Sequence, residues 1–392
     1  MAAFDRSYDV VVAGGGIAGV AAAVAAARTG AHVALVEKTV FFGGLATAGL
    51  VNLYLPLCDG RGRQVTFGLA EELLHRSLRY GPGEVPSDWQ DPASKSRYQT
   101  PFSPAAFILA LDEMLEEAGV YLWLDTLVSR PVVEDRRLVA LEVENKSGRG
   151  TLRASCVIDA TVDADLAFRA GAPCEEATNW LSIWAGQTSL DRARQAVEAG
   201  DGGKLLDVLR LGGDAWGQQR PEDSRKYVGT DGAEVSRFVL DSRRLLREFY
   251  QHHQPQAGRT ALYPLFLPAM AQFRTTRRIL GRANLTDDDV DARFDDSIGL
   301  IGNWWRSDEV WEVPFGALVP QGVVGLLVAG RCMASAGEAW EVTRAIPGVA
   351  MTGQVAGLAA AMAVDADTTP DQLDVAALQR RLTSDGFVLH RA

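Results

Sequence analysis

The stretch that most constrains this chain runs from Tyr8 to Lys38. Tyr8-Asp9-Val10-Val11-Val12 is a β-branched run suited to a strand buried on both faces. Gly14, Gly16 and Gly19 follow in G-x-G-x-x-G spacing and open an alanine-rich run of high helix propensity, reaching Arg28. Gly30 is placed as a C-cap, and His32 to Val36 reads as a second buried strand ending at Glu37. Gly14 allows the tight turn out of the first strand. Gly16 has no side chain to hold a pyrophosphate away from Ile17 and Ala18, where free N–H groups and the helix dipole favour anions. Gly19 lets the helix pack close to the strand. Glu37, 18 residues beyond Gly19 and followed by Lys38, is placed to accept hydrogen bonds from ribose hydroxyls. A lone G-x-G-x-x-G would mean little, but this context defines a dinucleotide site.

At 392 residues the chain is long enough for a sizeable core and two domains. A net charge of −11 and a pI near 5.1 argue against nucleic acid or an anionic membrane as the main partner. No uninterrupted apolar stretch approaches 18 residues outside the small-residue run after Gly16, so no membrane span is expected. The first nine residues carry acids and no apolar h-region, so no signal peptide is read there. Cys58, Cys156, Cys174 and Cys332 form no C-x-x-C, which disfavours a disulfide framework, a zinc knuckle or a dithiol centre. A cytoplasmic protein is the expectation.

Beyond Lys38, the pair Gly43-Gly44, continued by Leu45, Ala46 and Thr47, is either a flexible turn or a place where backbone meets ligand. Val51 to Thr100 is rich in turn residues, including Pro86 to Trp89, around an amphipathic helix from Thr66 to Arg79. Pro104 to Ala118 is a helix with Ser103 as N-cap, and Val120 to Leu124 a strand. Leu127 to Arg153, with Val128 at its start, reads as a β-meander leading into Cys156 to Asp165, which carries Ala160 and Thr161. Asp159, Asp163 and Asp165 lack the glycine and terminal Glu of a calcium loop, so no metal is assigned. Ala193 to Arg259 is expected to be mostly helical. The basic island Phe273 to Ile279 is either ion-paired surface or an anion clamp. Thr286 before three aspartates reads as a helix cap. Leu326 to Arg331, including Gly330, is a buried strand. A helix follows from Ile346 to about Val364, with Gly348, Val349 and Ala350 at its start, and Asp371 to Phe387 is a last surface helix.

The order of strand, G-x-G-x-x-G, helix, strand ending in Glu and GG loop resembles the FAD-binding half of glutathione-reductase-like flavoproteins. Ile158 to Asp165 resembles their strand-and-turn ATG consensus but departs at Val162, where the consensus has glycine. With Arg274 to Gly281 and Ala329 to Ala360, the chain is similar to a family of bacterial FAD-dependent oxidoreductases, distantly related to the fumarate reductase and succinate dehydrogenase flavoproteins. The resemblance implies an α/β fold: a Rossmann-like FAD-binding domain of glutathione-reductase type, with β-meander, plus an inserted α+β substrate or cap domain. It assigns residues 1–55, 104–174 and 323–392 to the first and 56–103 and 175–322 to the second. It further implies FAD contacts along the glycine turn, Glu37, the GG loop to Thr47, Val128, Ala160, Thr161, Gly330, Arg331 and the start of the last long helix.

Absences narrow the chemistry. No second G-x-G-x-x-G follows a strand, and no C-x-x-C provides a disulfide relay. Hydride transfer between a small organic substrate and FAD N5 remains, with quinone, oxygen or a carrier protein as redox partner. Arg274, Arg277 and Arg344 are the candidate catalytic contacts, with Arg331 and Glu338 beside them. His252-His253 and Cys332 are further candidates. A redox-sensing or non-catalytic flavoprotein, or an NAD-binding dehydrogenase, are the competing readings.

Overall fold

The computed structural model describes residues 3–85, 99–214, 218, 219 and 224–391. Strand β1 (Phe4–Ala13), helix α1 (Ile17–Ala27) and strand β2 (Val33–Val36) form the opening unit. The strands pair parallel, from Val10 against Val33 to Ala13 against Val36. Val10 to Ala13 and all of β2 are buried, which is why both read as unbroken apolar runs. Gly30, at φ +99°, supplies the left-handed turn beyond α1.

Short strands β3 (Leu53–Tyr54) and β4 (Thr100–Pro101) pair antiparallel across an excursion carrying α2 (Leu69–Leu78). Helix α2 starts later than the periodicity predicts because Gly68, at φ +71°, turns the chain into it. The loop reading of Pro86 to Trp89 lies outside the described residues. Helix α3 (Pro104–Glu117) has Pro104 in its first turn and Ser103 Oγ accepting the Ala106 amide at 3.4 Å. It delivers β5 (Tyr121–Trp123) to the far side of β2. The meander is β6 (Leu127–Glu134), β7 (Arg137–Asn145) and β8 (Gly148–Asp159).

Helix α4 (Asp165–Arg169) and the next strands build smaller antiparallel sheets. They are β9 (Cys174–Glu176), β10 (Thr178–Trp180), β11 (Ser182–Ser189), β12 (Asp207–Gly212), β13 (Lys226–Val228), β14 (Leu262–Phe266), β15 (Arg277–Ile279), β16 (Ser297–Gly302) and β17 (Val310–Pro314). Strand β11 lies between β12 and β14, β10 pairs with β13, β9 with β15 and β16 with β17. Helices α5 (Leu190–Ala199) and α6 (Gly232–Ala257) supply the helical part expected of residues 193–259, but β12 and β13 interrupt it. Their partners, β11 and β10, lie outside the polar stretch, so pairing overrides local propensity. Helix α6 covers two small apolar clusters, one with Leu181, Tyr227, Phe238 and Phe273, the other with Ile183, Ala185, Leu246 and Tyr250. Thr286 caps a single 3-10 turn, Asp287–Asp289, rather than a full helix.

Strand β18 (Leu326–Val328) returns the chain to the first sheet, followed by α7 (Gly337–Thr343), α8 (Ile346–Asp365) and α9 (Val375–Ser384). The sheet order is β5-β2-β1-β8-β7-β6, with β18 also on β8. It is mixed: β5, β2, β1, β8 and β18 run parallel, while β7 and β6 are antiparallel to their neighbours. Strand β8 keeps β1 on one edge and changes partner on the other, from β7 up to Arg153 to β18 from Val157. Helix α8 lies against α1 so closely that a Cβ on Gly353 or Gly357 would stand 2.2 Å from the carbonyl oxygen of Ala18 or Ala22. By length and hydropathy α8 could cross a membrane, which the search for unbroken apolar runs did not anticipate, but 83% of its most apolar window is buried inside the fold.

Candidate active site

The turn between β1 and α1 is built by contacts that exclude side chains. Gly14 has φ +101°, and a Cβ there would lie 2.4 Å from the Ala160 carbonyl oxygen. A Cβ on Gly19 would lie 1.8 Å from the Gly14 carbonyl oxygen, so the helix is seated on the turn. Gly16 is the opposite case: nothing stands within 4 Å of where its Cβ would be. No side chain caps the α1 N-terminus, so that open space faces uncapped amides. The GG loop lies across it, with the Gly43 N–H donating to the Gly15 carbonyl at 2.8 Å. Glu37 is buried at the end of β2; its Oε2 accepts the Gly15 amide at 2.7 Å and its Oε1 the Thr39 amide at 2.8 Å. Each carboxylate oxygen keeps a lone pair for a further donor.

A groove of about 350 Å³ runs over this turn. Of the residues expected at a cofactor, Gly14, Gly16, Glu37, Lys38, Gly44, Val128, Ala160, Thr161 and Arg331 line it. Ile17, Ala18, Gly19 and Gly43 belong to the turn and helix beneath. Leu45 and Ala46 form a 3-10 turn beside it, pinned by the Thr47 hydroxyl on the Phe42 carbonyl. Gly330 packs against Ala18 and Val349, and Gly348, Val349 and Ala350 begin α8 without lining the groove. Sequence reasoning missed Ala48, Thr126, Leu127, Val162, Asp163 and the wall Ala269, Met270, Ala271 and Phe273. Thr126 was findable, since it follows β5 as Glu37 follows β2; the wall carries no local signal.

The turn after β8 is heavily hydrogen-bonded. Asp159 is fully buried and accepts the Thr161 amide at 3.0 Å, the Thr161 hydroxyl at 2.6 Å and the Ala167 amide at 2.9 Å. Burial pushes its carboxyl upward, against the pull of these donors. Asp163 accepts Arg331 Nη2 at 2.8 Å and the Thr276 hydroxyl. Arg331 also donates to the Phe273 carbonyl, tying the far wall to β18; burial pushes its guanidinium down while Asp163 opposes the shift. Val162 keeps a glycine-like turn at φ +80° despite its branched side chain, and Ala164 has φ +51°. Such conformations cost on the order of 1–3 kcal/mol each.

The basic island divides by depth. Arg277 is buried, with Nη1 3.5 Å from Asp165, Nη2 3.1 Å from Glu176 and its guanidinium 3.9 Å from the Phe168 ring centroid. Of the expected catalytic arginines, Arg277 thus has its donors committed to protein, and neither Arg277 nor Arg274 lines the groove. Arg344 is paired with Glu341, and Glu338 with Arg306. Arg274 differs from all of these. Its amide donates to Asn179 at 2.8 Å, but among the described residues its guanidinium has no hydrogen-bond or ion-pair partner. Burial pushes that guanidinium down to about 10; Arg344 adds to the shift while Glu341 and Asp214 oppose it. It therefore stays cationic at neutral pH. Arg210 stacks 3.9 Å over Trp184 in the same region. His252 and His253 are exposed on α6, and Cys332 is buried with its thiol pushed well up by burial.

A glycine turn with an open helix N-terminus, an acid at the end of the adjoining parallel strand and a groove closed by the turn after β8 fit FAD. The mixed sheet and this groove define an α/β oxidoreductase fold of the FAD-binding kind. The chain belongs to the FAD dependent oxidoreductase family, whose model matches residues 9–183 and 214–382. No curated protein matches it. Among solved structures it is similar to p-nitrophenol 4-monooxygenase from Pseudomonas putida, at 14% identity and TM-score 0.53, covering 99% of this chain and 90% of that one. It is also similar to an aromatic hydroxylase from angucycline biosynthesis, at 15% identity and TM-score 0.50, covering 97% and 68%. It is also similar to the E. coli quinol fumarate reductase FrdA, at 11% identity and TM-score 0.48, covering 98% of this chain and 74% of that one.

Proposed function

We propose that this FAD-dependent oxidoreductase transfers a hydride between a small organic anion and FAD N5, and that Arg274 recognises the anion. The observation that carries this reading is the half-buried guanidinium of Arg274 beside Arg344, without a partner among the described residues. A guanidinium withdrawn from water without a carboxylate is costly unless a ligand supplies the charge. Bound FAD would supply the electron chemistry. Gly16 and the α1 amides would hold its phosphates and Glu37 its ribose. Arg274 would orient the substrate and, with Arg210, neutralise its charge.

The architecture we propose is a glutathione-reductase-type FAD domain of residues 1–55, 104–174 and 323–392. A substrate or cap domain of 56–103 and 175–322 would place Arg274 at the cleft. The second redox partner would be a quinone, oxygen or a carrier protein, and the four cysteines, none of them in a disulfide among the described residues, suit a cytoplasmic setting.

The test is anaerobic bleaching of the flavin absorbance by small carboxylates and by their neutral amides. The carboxylates are expected to bleach and the amides not. R274A is expected to retain FAD while losing about 10–100-fold in bleaching efficiency, the worth of one charge-assisted contact. Equal bleaching by acids and amides would remove Arg274 from this role.

A further inference from the structure

We propose that Val162 is a steric determinant of FAD affinity: its isopropyl group stands on the groove wall where the backbone suits glycine, and it makes the protein hold FAD less tightly than the rest of the groove allows. The proposal rests on the assignment of this groove to FAD.

Three observations carry it. Val162 is half-buried on the groove wall between Thr161 and Asp163. That turn abuts the glycine turn two residues before the open position of Gly16, since a Cβ on Gly14 would lie 3.1 Å from Thr161 Cα. Val162 therefore lines the groove one residue beyond the wall position that touches the glycine turn. Second, among the described residues Val162 is the one β-branched residue with a positive φ. Third, the turn cannot swing aside. Asp159 holds Thr161, the Val162 carbonyl accepts Arg331 Nε at 3.5 Å, and Asp163 is held by Arg331 and Thr276. With the backbone fixed, the direction of the Cβ is fixed too, and only side-chain rotation can make room for a ligand.

Obstruction and strain are separable here because Ala164 shares the strain without the obstruction. It has φ +51°, is fully buried and does not line the groove. The experiment is titration of the apoprotein with FAD, followed by flavin fluorescence, for the parent protein and the variants V162G, V162A and A164G, with a melting curve for each. V162G is expected to lower the FAD Kd about tenfold and to raise the apoprotein melting temperature. V162A is expected to give part of the gain in affinity, and it serves if V162G does not fold. A164G is expected to leave the Kd unchanged, whatever it does to the melting temperature. A Kd that is unchanged or weaker in both Val162 variants would overturn the proposal and show the isopropyl group to be neutral or a favourable contact. Failure of the parent and every variant to bind FAD would instead overturn the assignment of the groove, and this proposal with it.

Discussion

Arg274 and Arg277 lie three residues apart and have opposite surroundings. One guanidinium has no partner among the described residues; the other is enclosed by Asp165, Glu176 and Phe168. R277A is expected to cost about 1–3 kcal/mol of stability through lost hydrogen bonds and stranded acids. The loss should appear in a melting curve while FAD affinity per folded molecule is preserved. Nothing in Phe273-Arg274-Thr275-Thr276-Arg277-Arg278-Ile279 distinguishes the two, because burial depends on β15 pairing with β9, a strand about 100 residues earlier. The glycines and Glu37 were legible because their roles are set by local backbone geometry.

The cysteines give a second prediction at this scale. Burial pushes the Cys174 thiol up to about 11 and those of Cys156 and Cys332 upward as well. A raised thiol pKa shrinks the thiolate fraction at any lower pH, so alkylation of the native protein at pH 8 should be slow at all three. Above pH 10, Cys174, which is half-exposed, should label first. Mass spectrometry of iodoacetamide-treated native and denatured protein reads this directly.

Among elements, the pair α1 and α8 does most to hold the nucleotide side together. Gly353 and Gly357 bring α8 onto the carbonyls of α1, so a methyl group at either position must displace backbone. G353A and G357A are each expected to destabilise by about 1–3 kcal/mol, typical of overpacking, measured by denaturant unfolding. Both helices were legible as alanine-rich runs with glycine or proline at their starts, and α3 by its Ser103-Pro104 cap. Their mutual packing was not, since an apolar run does not name its neighbour. The short strands from β9 to β17 were the least legible elements. Apart from the neighbouring pair β16 and β17, they are held by partners well separated in sequence, and β12 and β13 lie in a stretch whose polarity suggests helix.

For the whole molecule, the discontinuous path is the main result. The chain leaves the first sheet after β2, returns with β5 to β8, leaves again and closes with β18. Because the groove draws walls from several of these passages, FAD should stabilise the molecule globally. At free FAD 100-fold above Kd the gain is about 2.7 kcal/mol, seen calorimetrically as a concentration-dependent rise in melting temperature. The nucleotide half of this plan was readable from motifs that recur in a set order. The stretch from β9 to β17 was not, because its small sheets depend on pairing rather than on a local backbone rule.

The late arrival of β18 also has a consequence in time. From Val157 on, strand β8 lacks its second neighbour, and α1 its covering helix, until the ribosome has added roughly 170 to 200 residues beyond β8, a delay of about 10–40 s at ordinary elongation rates. Throughout that interval the dinucleotide turn exists in sequence, but Arg331 and α8 are not yet there to close it. The nascent chain must therefore shield an apolar helix and an open strand edge before it can be charged with cofactor, and loading waits until α8 has been made.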